Sequence, residues 1–305
     1  MAADNAFFPN LIILGTPKSG TSSLHEWLCA HPEIGEGSEK ELRFLLDPEE
    51  PLARPNGYSA TGVDGYAAFF PARKTTRKTY WIDSSPTYYY QRAALEAVSS
   101  RPDIPFLGLL YRRPGARIHS YYQYAKQNRG VLPPDMTFEG FLKAAEEGAS
   151  GPLRATPGLS RVFEHSDYAR YTRLWLDRIP RERFFFLKFE DVVGEPLTVV
   201  RRLCGQFGLD PGFYDTYGFP QENRSLQVKN ARLQGLKEAI ARRVRTPPGV
   251  RKVLRSLYER MNTAELRREK DDTTQALIAD LDRRFAPTVA QLEDLTGLDL
   301  SAWRA

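Results

Sequence analysis

The chain has 305 residues, 41% hydrophobic and 27% charged, with a net charge of +5. It is long enough to bury a sizeable core, as one large α/β domain or two small ones. The positive excess is spread along the chain, which suits an anionic ligand but excludes a concentrated nucleic-acid footprint. No zinc-finger spacing or aromatic–basic RNA motif accompanies it. Cys29 and Cys204 lie far apart and form no CxxC pair, so we expect no metal site and read both as buried free thiols, with a disulfide left open. The first ten residues lack a basic n-region, and no apolar run approaches about 18–20 residues. The expectation is a cytoplasmic protein, bacterial in style, with no membrane span, no nucleic-acid partner and an oligomeric state the sequence leaves open.

In chain order, residues 11–14 read as a buried strand ending in a glycine-bounded loop. Residues 21–30 read as a helix with Leu24, Trp27 and Leu28 on one face. Residues 31–62 are rich in proline and glycine. A short helix is expected at 66–70 and a strand at 80–82, ending at Asp83. Pro86 favours a new helix start. Residues 106–111 form another apolar strand, and Pro114 opens a helix through Ala125. Helices follow at 138–145 and 168–179, a strand at 184–187, and a helix at 196–207 that stops at Gly208. Residues 210–248 read as irregular, with no strand expected after Gly208. Val250, Val253, Leu254, Leu257, Tyr258 and Met261 recur at helical spacing beside many Arg and Lys. Residues 277–295 read as an amphipathic helix interrupted at Pro287. Short buried strands alternating with helices imply a three-layer α/β/α fold with a central parallel sheet. We read one domain over 1–305, with a core at 8–210 and a helical C-terminal cap at 211–305.

The richest stretch is LIILGTPKSGTSSLHEWL, residues 11–28. Strand, glycine loop and helix together point backbone N–H groups at a phosphate. An NTPase loop reads GxxxxGK[ST]. Here Gly15 and Gly20 keep that spacing, but Thr21 stands where the lysine belongs, and the lysine lies inside the loop as Lys18. Such a lysine sits against the group that bridges the first phosphate to whatever is transferred. A second basic element follows the strand at 106–111, in YRRPGARIHSYY. Arg112 offers a fork of donors, Pro114 fixes the helix start and Ser120 adds a hydroxyl from that helix.

TPKSGTSSL resembles the 5′-phosphosulfate loop of sulfotransferases that use 3′-phosphoadenosine 5′-phosphosulfate (PAPS). Arg112, Pro114 and Ser120 resemble that family's 3′-phosphate element. EKELRFLL resembles its KE-x-x-F segment through Lys40, Glu41 and Phe44, and SSPTYYY its Ser/Thr-Pro segment through Pro86 and Tyr88. Tyr168, Trp175, Pro180, Glu190 and Pro196 fall in register with a stretch shared by bacterial and Golgi heparan-type members. The resemblance covers roughly residues 10–210 and includes the closing LEDLTGLDLSAW. It departs at Arg43, where heparan-type enzymes often carry histidine, and at Ser84, where they often carry lysine, so the acceptor machinery stays open.

The resemblance implies the P-loop-like sulfotransferase fold and sulfuryl transfer from PAPS to a hydroxyl, or less readily an amine, of a saccharide, lipid or other small acceptor. The product would be 3′,5′-ADP, formed by in-line displacement with no metal expected. Thr16, Pro17, Lys18, Ser19, Gly20, Thr21, Ser22 and Ser23 would cradle the 5′ end. Arg112 and Ser120 would hold the 3′-phosphate. In similar enzymes a late basic loop closes over the cofactor, and Lys229 and Arg232 take that place here; an exposed loop is the alternative. Lys18 would stabilise charge on the leaving phosphate. Glu41 would be the general base, with burial raising its pKa toward that task. His119 and Asp83 are alternative bases, and His165 reads as a surface or cap residue. Two other readings stay open. A kinase-like phosphotransferase would need Mg²⁺, and the missing lysine argues against it. The other is a non-catalytic nucleotide- or glycan-binding protein on the same fold.

Overall fold

A computed structural model describes residues 6–128, 131–148, 151–220 and 272–304, and the backbone of 226–228 and 263–265. Its centre is a parallel sheet of β1 (Leu11–Gly15), β2 (Ile34–Glu36), β3 (Tyr80–Asp83), β4 (Phe106–Tyr111) and β5 (Phe184–Lys188). The strand order is β2-β3-β1-β4-β5. The principal helices are α1 (Thr21–Ala30), α2 (Arg92–Ser99), α3 (Pro114–Gln123), α4 (Phe138–Glu146), α5 (Tyr168–Leu176), α6 (Phe189–Gly194), α7 (Pro196–Phe207) and α8 (Asp272–Thr296).

Successive strand residues point to opposite faces, and both faces are covered. Leu11 and Ile13 pack with Leu24 and Leu28 of α1 and Leu203 and Phe207 of α7. Ile12 and Leu14 join the other layer, with Ile118 of α3, Trp175 of α5 and Leu281 and Leu292 of α8. α8 lies across α3 and α5. The chain leaves β1 toward β2 on one side, while β4 and β5 lie on the other. The order therefore reverses beside β1, and the crevice at the strand C-termini opens between the loops that follow β1 and β4.

Several local expectations change. Residues 62–69 form a 3₁₀ turn rather than an α-helix, starting at Gly62 (φ 59°), with Tyr66 buried and its hydroxyl donating to Asp83 (2.6 Å). Pro86 does not start a helix. The hydroxyls of Tyr88 and Tyr89 are drawn into the interior, Gln91 is extended, and α2 begins only at Arg92. There the Asp47 carboxylate accepts from the N–H groups of Arg92 (3.1 Å) and Ala93 (2.7 Å), a cap supplied by a distant loop. Pro287 does not interrupt α8, because Leu281, Phe285, Val289 and Leu292 are buried on both sides of it. After Gly208 an antiparallel pair joins Leu226–Val228 to Thr263–Glu265, a long-range pairing with no local signal. His165 is buried at 6% exposure and stacked on Tyr90 at 3.9 Å, so it is neither a surface nor a cap residue. Among the described residues, no helix is long and apolar enough to cross a membrane.

Candidate active site

The loop between β1 and α1 is tied to β4. The N–H and hydroxyl of Thr16 both donate to the Leu110 carbonyl (2.8 and 3.0 Å), and the Ser19 hydroxyl meets that of Thr16 at 2.7 Å. Thr16 and Ser19 are fully buried, so their side chains hold the loop's shape rather than face solvent. Lys18 (φ 72°) and Gly20 (φ 88°) both take left-handed backbone. A Cβ on Gly20 would meet the Phe189 ring at 3.2 Å, so the position favours glycine on two counts. No side chain caps α1 and no acid lies in its first turn. The N–H groups of Thr21 and Ser22 thus begin a helix whose positive end faces the crevice.

Arg112 follows β4 directly. Its guanidinium donates to the Lys18 carbonyl (3.2 Å) and lies 4.2 Å over the Phe189 ring. Its own carbonyl accepts from the buried Tyr168 hydroxyl (2.9 Å). The Lys18 ammonium lies 4.2 Å over the Tyr124 ring. Tyr124 is one helical turn beyond Ser120, so the half-buried Ser120 shares the helix face turned to Lys18. Lys18 and Arg112 line one crevice, and Ser120 lies on the helix that follows Arg112. Burial first, then Arg112 and Lys40, draw the Lys18 pKa down from 10.5 to about 8, with Glu41 opposing them. A cavity of about 380 Å³ opens on the far side of Arg112, between Lys188, Phe189 and Trp303. Lys18 and Glu41 do not line it.

Glu41 sits between two cations, Lys40 (3.4 Å) and Arg43 (3.2 Å). Burial pushes its carboxyl up, but the two cations outweigh burial and hold it below the usual range. The expected raised pKa is thus reversed. Lys40 is itself lowered by burial, against the pull of Glu41. The segment carrying them is stitched to the end of β3. The Arg43 N–H donates to Ser85 (3.0 Å), the N–H groups of Phe44 and Leu45 donate to the Tyr88 hydroxyl (2.7 and 3.2 Å), and Ser84 donates to the Lys40 carbonyl (3.3 Å). Asp83 anchors this arrangement by accepting from Tyr66, Ser85 and Tyr88. It is fully buried, with its pKa raised by burial, and its oxygens are engaged by the protein itself. His119 meets Gln123 (3.2 Å) and packs edge-on to Phe138.

Lys229 and Arg232 lie outside the described residues. Reading the sequence did not single out Phe189, which lies between Gly20 and Arg112, nor Tyr124 beneath Lys18. The spacing of four between Ser120 and Tyr124 was the available signal for the second; the first had none beyond its place after a strand. The fold also brings together His25, Cys29 and Glu36, whose ligating atoms all lie within 4.8 Å of one another.

A crevice at the switch point of a parallel sheet, with an uncapped helix N-terminus on one side and a basic strand end on the other, is the usual place for a phosphate-bearing ligand in an α/β fold. A sequence profile of the sulfotransferase domain matches residues 109–293, and the chain belongs to that family. It is 27% identical over 195 residues to the bifunctional heparan sulfate N-deacetylase/N-sulfotransferase 1 of Mus musculus, covering 63% of this chain and 21% of that protein. It is 24% identical over 206 residues to N-deacetylase/N-sulfotransferase 3 of Homo sapiens, covering 67% of this chain and 23% of that protein. The chain thus spans about a fifth of the length of these curated relatives. A sulfotransferase structure from Alicyclobacillus acidocaldarius superposes with a TM-score of 0.65 at 23% identity, covering 98% of this chain and 100% of that one. It shares the fold.

Proposed function

We propose that the chain transfers the sulfuryl group of PAPS to a hydroxyl, or less readily an amine, of a saccharide or other small acceptor, releasing 3′,5′-ADP. The observation that carries this reading is Arg112 bonded to the backbone of Lys18 across the mouths of β1 and β4. Arg112 also lies near enough to the Lys18 ammonium to lower its pKa, and an anion with a charge at each end relieves both. The first-turn amides of α1 and Lys18 would take the 5′-phosphosulfate, and Arg112 with Ser120 the 3′-phosphate. Phe189, beside both Gly20 and Arg112, would add an apolar wall.

In the transfer, the acceptor oxygen bonds to sulfur as the bond from sulfur to the bridging phosphate oxygen breaks. Lys18 would stabilise the charge gathering on the leaving phosphate. Glu41 would take the acceptor proton. Its low pKa keeps it ionised and ready, at a cost in basicity, until the acceptor displaces Lys40 or Arg43 from it. Residues 1–305 would act as one unit, supported by the packing of α8 on α3 and α5. The direct test incubates the chain with PAPS and a panel of hydroxyl and amine acceptors, and reads added sulfate by mass spectrometry. Sulfated product that disappears with Lys18→Ala supports the reading. Its persistence with Lys18→Ala contradicts it.

A further inference from the structure

A second cluster lies along α1, away from the loop. His25 and Cys29 are one turn apart on the same face, about 6 and 12 Å along the axis from Thr21 at 1.5 Å per residue. The turn from α1 into β2 brings Glu36 against them. His25 Nε2 lies 3.5 Å from Cys29 Sγ and 3.4 Å from Glu36 Oε2. His25 Nδ1 lies 2.8 Å from the buried Ser84 hydroxyl. We propose that His25, Cys29 and Glu36 form a binding site for a borderline divalent cation, zinc foremost.

The geometry suits that ion. Zinc binds thiolate, imidazole and carboxylate at about 2.0–2.3 Å, which places neighbouring ligands of a tetrahedron about 3.3–3.7 Å apart. The two distances from Nε2 already have that value, and all three ligating atoms fall within 4.8 Å. Ser84 plays the part of an orienting outer partner. With Nδ1 held by Ser84, Nε2 is the nitrogen left for a metal; Cys29 Sγ lies 3.5 Å from Nε2 and 3.8 Å from Nδ1, against the ring, so the imidazole turns toward a shared ion on binding it. The charged groups facing the thiol are Glu36, Glu26 and Lys40, two carboxylates against one ammonium. Glu36 is 61% exposed in its side chain, so the fourth position opens to water. Softness favours zinc over magnesium or calcium, because one ligand is sulfur and one nitrogen. A bound ion would clamp α1 to β2. Through Ser84, whose N–H donates to the Lys40 carbonyl, it would also stiffen the segment that carries Glu41. The site stands independently of the sulfuryl-transfer reading.

The test uses the metal alone. Chelator-stripped protein is titrated with Co²⁺ and its absorption recorded, then Zn²⁺ is added in competition. One equivalent of Co²⁺ should produce a sulfur-to-cobalt charge-transfer band that Zn²⁺ abolishes and that Cys29→Ser lacks. Glu36→Gln changes an exposed position and so spares the fold; it should weaken zinc binding at least tenfold, and Ser84→Ala should weaken it about tenfold. A featureless spectrum in the unaltered protein overturns the proposal. So does a band that survives Cys29→Ser, or zinc affinity unchanged in Glu36→Gln.

Discussion

Lys18 is held in a place that disfavours its charge. Its pKa in the fold is about 8, below that of the unfolded chain. Below about pH 8 the cost of burying the ammonium is fully present. Between about pH 8 and the unfolded value the unfolded chain binds more protons, so this group's contribution to stability rises with pH. Lys18→Met should therefore stabilise the ligand-free protein at pH 7 by about 1–2 kcal/mol, a figure discounted for partial solvent exposure, while abolishing transfer. Thermal melts beside turnover assays check both halves; a variant that melts lower would contradict the strain. An anion in the crevice should raise the Lys18 pKa again. Binding of 3′,5′-ADP near pH 8 should then take up protons, which calorimetry in buffers of different ionisation enthalpy detects. Glu41 was readable in the sequence as a position but not as an environment. Lys40 is its neighbour in the chain, but the left-handed Arg43 (φ 54°) folds a second cation back onto it. Glu41→Gln should lower kcat by about 10²–10⁴-fold and leave 3′,5′-ADP affinity unchanged. A matching loss of affinity would place Glu41 in cofactor binding instead.

Among the elements, β1, α1, β4 and the start of α3 could be read almost residue by residue, because each carries its own punctuation. An apolar run meets Gly15, Pro114 sits at a helix start, and Gly208 (φ 68°) closes α7 in the left-handed conformation. The segments that escaped are those whose partners are remote in sequence. The 40–45 segment has no periodicity of its own. It holds its shape because Tyr88 and Ser85, more than forty residues later, receive its N–H groups. The same remoteness hid the true start of α2, where Asp47 supplies the cap. Tyr88→Phe should leave the N–H groups of Phe44 and Leu45 without their acceptor and remove one of the two hydroxyls on Asp83 Oδ2, costing about 1–3 kcal/mol. Because that segment carries Glu41, kcat should fall while 3′,5′-ADP affinity holds. Chemical denaturation and steady-state kinetics on the one variant separate the two effects. A variant as stable as the parent would show that Tyr88 does not brace the segment.

For the whole molecule, strand order does what no single motif can. Once the chain runs from β1 to one side of the sheet and returns to place β4 on the other, the loops after β1 and β4 must meet at one crevice. The glycine loop and the arginine were visible as two motifs nearly a hundred residues apart. Their meeting depends on the sheet, and the contact from Arg112 to the Lys18 carbonyl is its signature. α8 shows the opposite case, a helix that ignores its internal proline because α3 and α5 bury both halves of it. The claim on which the rest depends is that one crevice grips a nucleotide by phosphates at both its 5′ and 3′ ends. Calorimetric titration of the unaltered protein and of Arg112→Ala with 3′,5′-ADP and with 5′-AMP measures this directly. The unaltered protein should prefer 3′,5′-ADP by tenfold or more, a difference of about 1.4 kcal/mol, and Arg112→Ala should erase that preference. Equal affinity for the two nucleotides, or a preference that survives the loss of Arg112, would contradict it.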